Sequence, residues 1–186
     1  MGSYPKPTVQ PGALMGLALL LLVMELRWVG AFLLSAGVHE CCHLLALRMM
    51  RVPVSAISVG IGGTKIQTPP LTRTQELLIA LAGPVGGLLL CFSAGRFPRL
   101  AVCAFFHSVC NLMPLYPLDG GRVLRCLIPE KFAWIVEKGM ILIILMGTVK
   151  LTGLLGLLAL AVIFGKPLLE KYLANRRGNS YNSATI

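Results

Sequence analysis

Apolar residues fall into long runs along this chain, separated by short polar or glycine- and proline-rich breaks. Six runs read as candidate membrane spans: about 12–24, 29–47, 77–94, 100–113, 132–149 and 154–164. A helix needs about 20 mostly apolar residues to cross a hydrocarbon core, so the first, fourth and sixth are short for a crossing. Between the second and third runs, residues 52–70 alternate apolar and small polar positions and are rich in β-branched types. With a turn at Gly62-Gly63, that stretch predicts a β-hairpin. A hairpin this apolar belongs at or in the membrane interface, where protein covers its backbone.

Composition agrees with the pattern. Of 186 residues, 56% are hydrophobic and 13% charged, which leaves no room for a separate soluble domain. The predicted fold is an α-helical integral membrane protein of about six transmembrane helices, with a short membrane-associated β-hairpin between helices 2 and 3. No secretory signal peptide is read at the N-terminus, so the first run is expected to be retained. Five of the six cysteines lie inside apolar runs and Cys126 lies just after one, so a disulfide framework is not expected.

The net charge of +10 does not indicate nucleic acid. Basic residues punctuate the ends of apolar runs instead of forming a stripe, and no nucleic-acid motif accompanies them. Their placement instead sets a topology. With alternating spans, thirteen of the 17 Lys and Arg fall on one side, and only Arg27, Arg96, Arg99 and Lys150 on the other. The positive-inside rule then puts both termini in the cytoplasm, along with the Arg48 end of the second span.

That second span carries the chemistry. His39 and His43 are four apart, one turn of a helix, with Glu40 close to the same face. This is HExxH, in which two imidazoles bind zinc and the glutamate acts as general base on a water. The alternative is a pair of satisfied core histidines, but unpaired ionisable groups are expensive in a membrane span and mark function there. The site lies roughly 7–14 Å below the cytoplasmic interface, counting from Arg48 along the helix. Cys41 points away from the two histidines, whereas Cys42 lies about 60° from His39. Zinc accepts thiolate, but ligands from successive positions of one rigid helix strain a tetrahedral site. That favours a packing role for Cys42.

A catalytic zinc takes three protein ligands and keeps one position open. Asp119, the only aspartate in the chain, is the candidate for the third. It follows Pro114 and Pro117, which break the fourth span, and it precedes Gly120-Gly121, read as a tight turn opening a loop. The charge count puts that loop on the same side as the HExxH end of the second span.

HExxH in a membrane span, followed by "NLMPLYPLDGGR" (residues 111–122), resembles the site-2 protease family of intramembrane zinc metalloproteases. "LAGPVGG" (residues 81–87) also resembles a family feature, and the compact layout is most similar to the stage IV sporulation protein FB branch. The resemblance covers roughly residues 29–125. It implies one Zn2+ held by His39, His43 and Asp119, with Glu40 as the catalytic base. It further implies Asn111, Pro114 and Pro117 as substrate-binding residues, and a hairpin edge that receives an extended substrate by strand addition. The implied substrate is a membrane-associated pro-protein, most specifically a sporulation pro-sigma factor, cut at the cytoplasmic face. The implied setting is a bacterial cytoplasmic membrane, that of the mother cell around the forespore, with membrane inhibitor proteins as partners besides lipid. Relatives in that branch often carry a nucleotide-sensing CBS domain after the last span; here a short tail follows, so regulation through such a domain is not expected. His107 reads as structural or as a support to the site.

The domain reading is a cytoplasmic segment over 1–11, one membrane-embedded metalloprotease domain over 12–174, and a polar tail over 175–186. Two rivals remain: a metal-binding or metal-transporting membrane protein, and an inactive scaffold. The near absence of polar residues from spans three, five and six argues against transport, and an intact Glu40 argues against a scaffold.

Overall fold

The computed structural model describes residues 5–61 and 63–153. The sixth expected span, the C-terminal tail and Gly62 of the expected turn lie outside the described residues. A two-residue strand β1 (Thr8–Val9) is followed by helix α1 (Pro11–Val23), helix α2 (Leu26–Met49) and strands β2 (Ala56–Gly60) and β3 (Gly63–Gln67). Helices α3 (Arg73–Leu89), α4 (Pro98–Asn111), α5 (Asp119–Leu127) and α6 (Glu130–Thr152) complete the order. The chain divides into two compact units at Glu137, inside α6. The first unit holds all that follows except the later part of α6.

Among the described residues, three helical stretches are long and apolar enough to cross a bilayer: Leu26–Met49, Arg73–Ser93 and Glu130–Lys150. Their large apolar side chains are widely exposed, as on Leu33, Leu34, Leu78 and Leu142, which suits lipid and not water. The chain is an integral membrane protein. The first and fourth expected runs form shorter helices, α1 and α4, of 13 and 14 residues.

Each element starts where its sequence allows. Pro11 and Pro98 open α1 and α4, where a missing N–H does no harm. Thr72 caps α3 in a reciprocal box with Gln75: the Thr72 N–H donates to Gln75 Oε1 at 3.0 Å, and the Gln75 N–H donates back to Thr72 Oγ1. The hairpin forms as expected, with β2 and β3 antiparallel from the Ala56–Gln67 pair to the Gly60–Gly63 pair. Strand β1 is an addition that two residues of sequence could not announce. It pairs in parallel with β2, giving the order β1-β2-β3.

The helices meet through small residues. Gly83, Gly86 and Gly87 lie along α3; a methyl group at Gly86 would strike Cys42 of α2, and one at Gly87 would strike the Ser108 hydroxyl of α4. "LAGPVGG" is therefore a packing stripe. Without a hydrophobic drive between helices in lipid, close backbone approach supplies the contact. On α1, Gly12 and Gly16 receive the hairpin's Ile61 in the same way, a Cβ at Gly16 lying 3.3 Å from Ile61 Cγ1.

The segment after Asp119 is a helix, not the expected loop, and Gly120-Gly121 is its first turn. The glycines answer a different need. A Cβ on Gly120 would collide with the carbonyls of Leu112 and Met113, and one on Gly121 with the backbone of Leu115 and Tyr116. Two bare Cα atoms let α5 nest against the preceding loop, outweighing about 1 kcal/mol of lost helix propensity at each.

Candidate functional site

The buried face of α2 is Ser35, His39, His43 and Leu47, each four residues from the next. That spacing turns His39 and His43 inward, with 2% and 5% of their surface exposed. Their rings meet edge to face, centroids 4.7 Å apart, and their Nε2 atoms are 3.1 Å apart. Asp119, 6% exposed at the start of α5, brings its Oδ2 to 3.1 Å from Nε2 of both.

Three lone-pair atoms thus form a triangle with 3.1 Å sides, wholly inside the protein. A tetrahedral shell with bonds of about 2.0 Å has ligand atoms about 3.3 Å apart, so the triangle matches one face of such a shell. Two imidazole nitrogens and a carboxylate oxygen are also a donor set that zinc accepts. Among the described residues, His39, His43 and Asp119 are the group of His, Cys, Asp or Glu side chains able to hold a metal ion together.

Hydrogen bonds orient His43 and Asp119, whereas His39, whose Nδ1 has no hydrogen-bond partner among the described residues, is held by packing. His43 Nδ1–H donates to the Ile79 carbonyl of α3 at 2.7 Å, which leaves Nε2 with its lone pair toward the triangle. Gly83, one turn further along α3, backs both rings; a Cβ there would lie 2.7 Å from His39 Nε2 and closer still to His43 Nε2. Asp119 Oδ1 accepts from Arg122 Nη1 at 3.2 Å, and Arg122 Nε donates to Glu76 Oε1 of α3 at 2.7 Å. Burial pushes the Asp119 carboxyl up, but the two imidazoles beside it outweigh that and hold it well below the usual carboxylate range. Burial works against the Arg122 charge as well, and the bond to Glu76 more than offsets it.

Glu40 is half-buried on α2, with the Thr64 side chain of β3 near it. The edge strand of the hairpin therefore runs beside this carboxylate. His107 of α4 stacks on Phe32 with centroids 5.6 Å apart and lies 4.8 Å from the His39 ring, so it packs against the site. Asn111 is half-buried, its amide donating to the His107 carbonyl of its own helix at 3.0 Å. Pro114 and Pro117 flank Leu115 and Tyr116 in the loop joining α4 to α5. Cys42 packs at Gly86, and Cys41 is exposed.

The site continues beyond the residues that the sequence singled out. Ile79 acts through its backbone, which no side-chain pattern reveals. Gly83 lies within a noted stretch, but its contact with the histidines does not follow from that stretch. Glu76 and Arg122 are 46 residues apart and meet only in the fold. Glu137, also not singled out by the sequence, is buried and paired with Arg125 through two bonds of 2.8 and 2.9 Å.

Comparison with solved structures adds the family of shapes. The site-2 protease from Methanocaldococcus jannaschii matches with a TM-score of 0.59 over 82% of this chain and 84% of that one, at 19% identity. The fold is that of a site-2 protease. In sequence, the chain is 28% identical over 165 residues to the zinc metalloprotease MJ0392 of Methanocaldococcus jannaschii, a match covering 74% of this chain. It spans about half, 48%, of that relative's length. No family model matches the chain. At 19% identity the site-2 protease likeness speaks for the fold, and the chemistry rests on the residues themselves.

Proposed function

We propose that this chain is an intramembrane zinc metalloprotease that hydrolyses a peptide bond of a membrane-associated protein near the cytoplasmic face. The observation that carries this reading is the buried triangle of His39 Nε2, His43 Nε2 and Asp119 Oδ2 at 3.1 Å spacing. The similarity to a zinc metalloprotease and the site-2 protease fold support it from outside the chain.

His39, His43 and Asp119 would hold one zinc ion. When bound, zinc supplies a Lewis acid that lowers the pKa of a water toward neutrality and polarises a carbonyl. Glu40, next to His39 but outside the triangle, takes a proton from the attacking water on a carboxylate oxygen. As the C–N bond breaks, Glu40 returns that proton to the departing amine, while the water oxygen stays on the new carboxylate. Burial of the three donors shields this exchange from bulk solvent and from lipid.

A helical peptide hides its amides, so the substrate must be extended. Strand β3 has β2 on one side and, among the described residues, no strand on the other. A substrate strand added there lies along Thr64 and hence beside Glu40. Asn111, Pro114 and Pro117 bound the loop that would meet the same peptide. The resemblance to the sporulation branch supports a pro-sigma factor as substrate and membrane inhibitors as partners, in a bacterial membrane with the site facing the cytoplasm.

The test is co-expression with a tagged pro-sigma factor, scoring cleavage for the wild type and Glu40→Gln alongside the zinc content of both purified proteins. Cleavage lost in the variant with zinc retained supports the reading. Zinc absent from the wild type, or cleavage persisting in Glu40→Gln, overturns it.

A further inference from the structure

The carboxylate of Asp119 divides its work. Oδ2 faces both histidines, while Oδ1 is held by Arg122 Nη1 at 3.2 Å. Left alone, a guanidinium beside a carboxylate takes both oxygens side-on, the strongest mode such a pair has. It would then occupy the oxygen that a metal needs, and its positive charge would oppose a dication only a few ångströms away. Here Arg122 Nε is already engaged by Glu76 Oε1 at 2.7 Å. Glu76 comes from the capped first turn of α3, and Arg73 of that turn also donates to the Cys126 carbonyl at the far end of α5. The position of α5 on α3 is thus fixed at both ends.

We infer that Glu76 and Arg122 form a charge-neutral clamp that turns one oxygen of Asp119 toward a divalent cation, with Glu76 keeping the guanidinium from competing with that cation. The inference rests on the metal-site reading above. Arg122 and Glu76 touch neither substrate nor the reacting atoms; they are positioning residues.

The clamp predicts an unusual order. Removing Glu76 leaves an unopposed guanidinium against the ligand, whereas removing Arg122 takes the competitor away and costs only orientation. A structural ion pair would make the two losses equal. The experiment uses the full chain in detergent micelles, with zinc affinity measured by competition against a chromophoric chelator. Visible absorption of the cobalt(II)-loaded protein reports the coordination geometry. Glu76→Gln is expected to weaken zinc binding by about tenfold or more, in the range seen when a partner of a ligand is lost. Arg122→Gln should bind more tightly than Glu76→Gln but with an altered cobalt spectrum, and Glu76→Gln/Arg122→Gln should recover affinity relative to Glu76→Gln. Equal zinc affinity in wild type and Glu76→Gln overturns the inference, as does an unchanged cobalt spectrum in Arg122→Gln. That second arm decides the matter even if Glu76→Gln does not fold. A wild type that binds neither zinc nor cobalt overturns the metal reading itself, a different failure from one confined to the variants.

Discussion

His43 Nδ1 and the Ile79 carbonyl are joined by a 2.7 Å hydrogen bond between α2 and α3. The imidazole is therefore oriented by backbone, which no side-chain substitution at residue 79 can delete. What can be changed is the space behind the ring. Gly83→Ala places a methyl group against Nε2 of both histidines. The exchange gains up to about 1 kcal/mol of helix propensity in α3, yet zinc content should fall well below one per chain and cleavage should drop by about a hundredfold or more. Metal analysis and a cleavage assay on the purified variant check this. Full zinc occupancy in Gly83→Ala would mean that the rings do not sit where the structure has them.

Asp119→Asn keeps the shape of the side chain and removes its charge. The amide remains able to accept from Arg122, but the charge that the folded state favours is gone, so Tm in detergent should fall by about a few degrees with the fold kept. Zinc affinity should fall by about tenfold to a hundredfold or more, because a neutral oxygen replaces an anionic ligand. A chelator competition assay reads the loss, and a thermal melt confirms that the fold persists.

Cys42 and Gly86 offer a paired test of packing against ligation. Gly86→Ala drives a methyl group into the Cys42 sulfur and should lower Tm by several degrees. Adding Cys42→Ala makes room, and most of that stability should return. Cys42→Ala alone should leave zinc stoichiometry at the wild-type value. Loss of zinc in that single variant would instead make the thiol a ligand.

Gly121→Ala tests why α5 begins with two glycines. Its Cβ would meet the Leu115–Tyr116 backbone, which has no flexible end to yield. The expected destabilisation is about 2–4 kcal/mol despite better helix propensity, with Asp119 displaced and zinc binding weakened along with it. Gly139→Ala, at a position on α6 where a Cβ meets nothing within 4 Å, is the control and should be close to neutral.

What could be read in the sequence depended on distance along the chain. His39, Glu40 and His43 are local, so helix spacing alone places them together. The hairpin announced itself by alternation, and the apolar runs by composition. Asp119 came within reach because topology and motif agreed on its side of the membrane. The helix after it did not, because two glycines favour a turn unless something crowds the backbone, and that crowding comes from Leu112 to Tyr116 in their folded path. The Glu76–Arg122 bond and the His43–Ile79 bond join residues 46 and 36 apart and leave no periodic trace. Strand β1 is legible only through its neighbour β2, since two residues carry no pattern.

The donors of the triangle lie 76 and 80 residues apart in the chain, and α3 must pass between them before they meet. During synthesis, α2 enters the bilayer with two imidazoles and no third donor. The carboxylate emerges only after α3 and α4 have been laid down, and it reaches the histidines only once α5 has seated its glycines. A half-made chain therefore holds two donors of the triangle and lacks the third. The chain holds all three donors only once its fifth helix has been made.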